Sequence, residues 1–208
     1  MRNGVGAIAL LVVLLLAAPA AAQQRQFGIK AGPVITAIDV EPEDADYGTR
    51  VAGTFGGFFV LPVNETFALQ LEALYSAKGG KATSDLVQET LKVKLDYVEF
   101  PILARITASR SASRSIFLFG GVAPAIRTSA KTEFSTTVDG TSYGESIDVG
   151  RDYDHFDIAL VVGGGVDIGP YIVIDGRYSW GLMNVYKNPE VESEVRNRAL
   201  AFTVGWRF

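Results

Sequence analysis

Apolar and polar residues alternate along most of this chain, with the period of a half-buried strand. In residues 67–76, Phe67, Leu69, Leu71, Ala73 and Tyr75 share one parity, and Ala68, Gln70, Glu72, Leu74 and Ser76 the other. Ile172, Ile174, Gly176, Tyr178 and Trp180 alternate with Val173, Asp175, Arg177 and Ser179. The same pattern runs through Leu200, Phe202, Val204, Trp206 and Phe208, and through Phe156, Ile158, Leu160, Val162, Gly164 and Val166. Residues 27–37, 51–61 and 115–127 alternate less sharply. Residues 91–107 form one long segment with a change of phase. Leu91, Val93, Leu95 and Tyr97 are its first apolar set, and Phe100, Ile102, Ala104 and Ile106 its second. A β-bulge between Tyr97 and Val98, helped by Pro101, would bring Lys92, Lys94, Asp96, Glu99 and Arg105 onto one face. That makes eight strands.

The connections alternate as well. Residues 39–50, 79–90, 128–151 and 182–197 are long and polar, whereas 62–66, 108–114 and 167–170 are short. Long loops at one end and short turns at the other predict an all-β fold. Specifically, they predict an eight-stranded antiparallel up-and-down transmembrane β-barrel with both termini on the short-turn, periplasmic side. A soluble barrel also alternates, but it keeps its charges outside. Here one face of each strong strand is wholly apolar and rich in large aromatics. The other carries Glu72, Lys92, Lys94, Asp96, Glu99, Arg105, Asp157, Asp175 and Arg177 as an expected interior polar network. Eight residues at about 3.3 Å, tilted by about 40°, span about 20 Å, close to the height of an apolar membrane band. Tyr75, Tyr178 and Trp180 would form the outer aromatic girdle, and Phe67, Trp206 and Phe208 the inner one.

Composition and the N-terminus place the barrel. Arg2, the apolar run Ile8–Ala18 and the small residues Ala20-Ala21-Ala22 have the three parts of a secretory signal peptide. Cleavage after Ala22 would leave 23–208 as a single domain. It removes Arg2 alone among the charges and takes the net charge of −4 to −5. With no cysteine the chain has neither a disulfide nor a lipoprotein anchor, and its acidic balance points away from nucleic acid. The expected surroundings are outer-membrane lipid and, through the aromatic-ended last strand, the barrel assembly machinery. Five segments resemble the outer-membrane β-barrel domain family of Bacteroidota, the porin family or PorT-like proteins. They are Leu69–Gly79, Asp96–Ala104, Gly163–Asp167, Arg177–Asn184 and Gly205–Phe208. The resemblance implies an eight-stranded outer-membrane barrel and, for PorT-like members, a link to protein secretion. It implies no catalytic residue.

Candidate chemistry is sparse. His155 is the only histidine. It cannot build a His-rich zinc site, and the expected reading is a solvated rim residue rather than the base of a lipid-modifying enzyme. The acidic run Glu41–Asp46 lacks the spacing of a calcium loop. Gly163, Gly164 and Gly165 fail the dinucleotide pattern and suggest tight curvature instead. No cofactor, metal or catalytic site is expected. The interior charges admit a polar conduit or a packed, salt-bridged plug. So narrow a barrel favours the plug, because its side chains suffice to fill it. The expected function is non-enzymatic, through outer loops in adhesion, envelope integrity or partner binding. The alternatives are a narrow pore or secretion accessory, and an outer-membrane lipid-modifying enzyme. Loop 128–151 is the longest candidate interaction surface.

Overall fold

The alternation folds into strands that close on themselves. The computed structural model describes residues 25–41, 48–84, 89–138, 141–150, 153–185 and 194–208. The expected signal peptide and all of the acidic run beyond Glu41 lie outside these residues. In chain order the strands are β1 (Gln26–Glu41), β2 (Arg50–Pro62), β3 (Phe67–Ser84), β4 (Glu89–Glu99) and β5 (Ile102–Arg110). They continue with β6 (Arg114–Val138), β7 (Thr141–Asp148), β8 (Phe156–Ile168), β9 (Ile172–Gly181) and β10 (Glu194–Arg207). All pairings are antiparallel. β1 pairs with β2 on one side and β10 on the other, which closes the ring.

β4 and β5 share one ring position, because both lie between β3 and β6. The ring therefore has eight positions, and β7 stands outside it, paired only with β6 among the described residues. Partners followed from Tyr75 through Phe55, Ala31, Val204, Ile174, Val166 and Ile116 arrive at Ser109. Ser109 lies beyond Ile106, the partner of Phe67. Closure with this stagger is what tilts the strands of a barrel.

The expected bulge falls elsewhere. Val93, Leu95, Tyr97, Glu99, Pro101, Leu103 and Arg105 are all buried, so 91–107 keeps one phase. Pro101 has no N–H for the ladder, and the strand is interrupted at Phe100–Pro101 instead. Phe100 N donates to Pro124 O at 2.8 Å and Glu72 N to Pro101 O at 3.0 Å, which stitches the break. The register shift lies opposite Asp96 and Tyr97, whose partners are Ser129 and Arg127, and the extra residue is Thr128 of β6. Inward positions on β6 accordingly change from odd (Phe119, Ala123, Arg127) to even (Ala130, Thr132).

Two expected polar connections prove to be strand. β3 runs on to Ser84, and β6 and β7 form a hairpin through most of 128–151. The hairpin is mostly Thr, Ser, Gly and charged residues, with Phe134 and Ile147 exposed on it, and such a mixture looks like loop in the sequence. The chain ends near Gln26 and Arg207 lie at the same end of the ring as the short turns 63–66, 111–113 and 169–171. Asn64 Oδ1 accepts the N–H groups of Thr66 and Phe67 at 2.9 and 2.8 Å, and Gly169 takes φ +58° in the last turn.

Candidate functional site

The lumen is the chemically richest part of the molecule, and every strand of the ring contributes to it through its inward-facing positions. Outward positions form an apolar belt. Phe27, Ile29, Phe55, Phe67, Ile106, Leu118, Ile126, Phe156, Leu160, Ile174, Phe202, Val204 and Trp206 are exposed on it. Tyr75 and Tyr178 lie half-buried on the same face, and Trp180 and Phe208 are exposed on it. Aromatic pairs reinforce both rims: Phe55 with Tyr75 at 5.3 Å and Tyr178 with Trp180 at 4.3 Å, then Tyr171 with Trp206 and Phe27 with Phe208, each at 5.3 Å. Such a belt in water would be a very large apolar patch. In lipid it is the expected surface.

Inside, the charges fall into three tiers. In the middle tier Lys30 Nζ meets Glu72 Oε1 at 2.8 Å and Asp175 Oδ2 at 2.9 Å. Arg177 meets Glu72 Oε2 at 2.6 Å and Asp175 Oδ1 at 2.9 Å. Two cations and two carboxylates balance, and the side chains of Glu72 and Asp175 are 0% and 2% exposed. β9 and β3 stand opposite each other across the ring, so the Arg177–Glu72 pair spans the lumen. In the tier toward the short turns, Arg105 and Arg207 both bind Asp167, the latter at 2.5 Å. In the tier toward the long connections Lys78 pairs with Glu99. There Asn197 Nδ2 donates to Asp157 Oδ2 at 3.0 Å and to Tyr97 Oη at 3.2 Å. The Asn197–Tyr97 bond, from β10 to β4, also crosses the ring.

Aromatic rings separate these charges. Lys30 lies over Phe58 at 5.7 Å, Arg105 over Phe117 at 3.5 Å and Arg177 over Phe119 at 5.1 Å. Glycines make room for the rings. A Cβ on Gly28 would come 2.6 Å from Phe58, one on Gly163 2.6 Å from Phe119, and one on Gly165 2.6 Å from Phe117. The run Gly163–Gly165 thus serves packing as well as curvature.

Of the residues expected inside, the middle tier brings together Glu72, Asp175 and Arg177. Arg105 lies in the tier toward the short turns, and Glu99 and Asp157 in the tier toward the long connections. Lys92, Lys94 and Asp96 do not belong to the network. They stand on the outward face, beyond the edge of the belt, where Lys94 pairs with Glu133. The physical reason is a change of surroundings along one strand. Past the belt the outside meets water, and the inside is filled by Val93, Leu95 and Tyr97 against Ile38, Val185 and Val195. The partition there is that of a soluble barrel. The hydrogen bond from Lys94 holds the Glu133 carboxyl below its usual range. That small contribution is present at neutral pH and lost as pH falls through the depressed value.

A cysteine at Lys94→Cys is expected to react with a membrane-impermeant maleimide on the folded barrel, and one at Leu95→Cys only after denaturation. Equal labelling of the two would contradict these faces.

Sequence reasoning missed Lys30, Lys78, Asp167 and Arg207 as network members, although their parity places each on the polar face. It also missed Arg127, which donates to the carbonyls of Asp154 at 2.9 Å, Gly150 at 2.7 Å and Tyr153 at 3.0 Å. This ties the return from the β6–β7 hairpin to the barrel wall. His155 is exposed at that return, where its carbonyl accepts the Arg127 N–H at 2.8 Å. Among the described residues no group of three or more metal-ligating side chains occurs.

A closed ring of antiparallel strands, apolar outside and charged within, defines an integral barrel of the outer membrane. The chain belongs to the outer membrane protein beta-barrel domain family, whose model matches residues 21–187. No curated protein matches it. Three similar solved structures are Ail, the attachment invasion locus protein of Yersinia pestis, Neisserial surface protein A, and OprG from Pseudomonas aeruginosa. Ail is 13% identical, with 89% of this chain and 100% of Ail covered, at a TM-score of 0.43. Neisserial surface protein A is 12% identical, covering 89% and 100%, at 0.48. OprG is 10% identical, covering 88% and 95%, at 0.45.

Proposed function

We propose that this barrel is a closed, non-enzymatic platform that works through the structure raised beyond its long-connection rim. The observation that carries this reading is the pair of cross-lumen links, Arg177–Glu72 and Asn197–Tyr97, stacked one above the other. Leu95, Tyr97 and Val185 between and above them are fully buried. Opening a conduit would separate ion pairs in a low-dielectric interior, which costs several kcal/mol. What projects instead is the β6–β7 hairpin, anchored by Arg127. Among the described residues β7 pairs only with β6, so its other edge offers unpaired backbone groups to an added strand. In this reading the short turns and chain ends face the periplasm, and the hairpin faces outward in adhesion, envelope integrity or partner binding. The segments Asp96–Ala104 and Arg177–Asn184 support a place among porin-family or PorT-like members.

Two measurements test this. The purified barrel in planar bilayers is expected to give no channel events, and regular unitary conductance would overturn the closed lumen. A variant with residues 132–147 replaced by a two-residue turn is expected to keep heat-modifiable gel mobility. Cells displaying it should adhere to matrix-coated plates no better than cells lacking the protein. Adhesion of the full chain no better than that of the shortened one would remove the hairpin from the function.

A further inference from the structure

The short-turn mouth of the barrel opens into a cavity of about 1230 Å³ whose charges do not balance. Arg25, Arg105, Arg110, Arg114 and Arg207 line it, against the carboxylates of Glu65 and Asp167. A terminal carboxylate on Phe208 would still leave an excess of cations. The middle tier of the lumen pairs its charges one for one. In the mouth, by contrast, the single carboxylate of Asp167 serves two guanidiniums, those of Arg105 and Arg207. Their side chains are 6% and 8% exposed. Gln26 and Gln70 supply neutral oxygens to these arginines, and the Nε of Arg207 is buried with no hydrogen-bond partner among the described residues. A buried cation without its counter-charge is costly, so the fold leaves one negative charge to be supplied from outside. The guanidinium groups of Arg25 and Arg114, exposed at the rim, form no hydrogen bond or ion pair with any described residue.

Every cation here is an arginine. The planar guanidinium fork matches an oxyanion with two parallel hydrogen bonds, which an ammonium cannot do. The surrounding turns are also fixed in advance. Thr107 N donates to Thr66 O at 2.8 Å, Gly169 N to Ser113 O at 2.9 Å and Arg207 N to Tyr171 O at 2.7 Å, so each turn is tied to its neighbour. A preformed cavity with converging donors is the general form of a small-ligand site. We infer that the short-turn mouth is a binding site for a multiply charged oxyanion, held by Arg207 and Arg105 at its floor and by Arg25 and Arg114 at its rim. The site does not depend on what the hairpin at the opposite end does.

The test uses the full barrel in phosphatidylcholine nanodiscs, with inorganic tripolyphosphate as probe in isothermal titration calorimetry. Saturable one-site binding is expected, weakened by added salt. Arg25→Gln with Arg114→Gln should weaken it by about a hundredfold, the scale of two lost charge-assisted contacts. Lys92→Gln with Lys94→Gln, on the outer face at the far end, should leave it unchanged. Arg207→Gln should abolish it, and the rim variants keep the test sharp if that buried substitution fails to fold. Repeating the titration in nanodiscs containing phosphatidic acid, whose phosphomonoester headgroup can carry two negative charges, separates the sources of the anion. Competition would assign the site to a lipid headgroup, and unchanged affinity would assign it to a soluble oxyanion. Absence of saturable heat, or equal weakening by the rim and outer-face pairs, would overturn the site.

Discussion

Glu72→Gln is expected to destabilise the folded barrel by about 3–5 kcal/mol, the usual cost of removing one partner from a buried ion pair. The Glu72 side chain is fully buried and accepts from both Lys30 and Arg177. Glutamine keeps the shape and removes the charge, leaving two cations around Asp175 alone. The second substitution distinguishes charge balance from packing. Lys30→Met in the Glu72→Gln background restores one cation, Arg177, to one carboxylate, Asp175, and is expected to recover most of the loss. The readout is the urea midpoint at which the compact gel form gives way to the unfolded one, for the single and double variants in the same lipid. A double variant no more stable than the single would show that Glu72 acts through local hydrogen bonds to Gln70 and Arg177, not through the charge balance of the tier.

The same tier shows how far the sequence can be read. Strand existence, the closed ring and the inverted partition all follow from parity, because a period of two leaves each residue of a strand only two directions. Glu72, Asp175 and Arg177 could therefore be assigned to one interior from three separate segments. Which charges meet could not be read, since partners come from strands distant in sequence. Arg177 pairs with Asp175 on its own strand and with Glu72 from across the ring, a contact between residues 105 apart.

Lys92, Lys94 and Asp96 show the other limit. Parity tells which residues share a face, but not whether that face meets lipid or water, and β4 crosses from one to the other. The apparent change of phase in 91–107 was that crossing. Outward residues turn from Lys94 and Asp96 to Val98 and Phe100 while the inward ones turn from Leu95 and Tyr97 to Glu99. A rule that charges always point inward converts this into a bulge. The real bulge, at Thr128, lies among small polar residues whose alternation carries no hydrophobic signal.

Gly165→Ala is expected to cost about 3 kcal/mol, at the upper end of what one methyl group inserted into a packed interior costs. The added carbon would lie 2.6 Å from the Phe117 ring and 2.9 Å from Asp175 Cβ, and would press on the carbonyl of Ile174. Phe117 has no room to retreat. It is 1% exposed, Arg105 covers its face at 3.5 Å and Phe119 stacks on it at 6.0 Å. Moving the ring would also move Arg105 from Asp167, so the strain spreads into the ion pairs of the short-turn tier. Phe117→Leu in the Gly165→Ala background is expected to return part of the loss. The rest stays, because the Ile174 carbonyl belongs to the backbone. Gly120→Ala serves as the control: its nearest neighbour is Val161 O at 3.6 Å, and the change should fall within about 0.5 kcal/mol of wild type. Urea midpoints of the three variants decide the matter. If Gly165→Ala and Gly120→Ala were equally mild, the glycine run would serve curvature alone, and the fitted layer of rings and cations would not set the stability of the lumen.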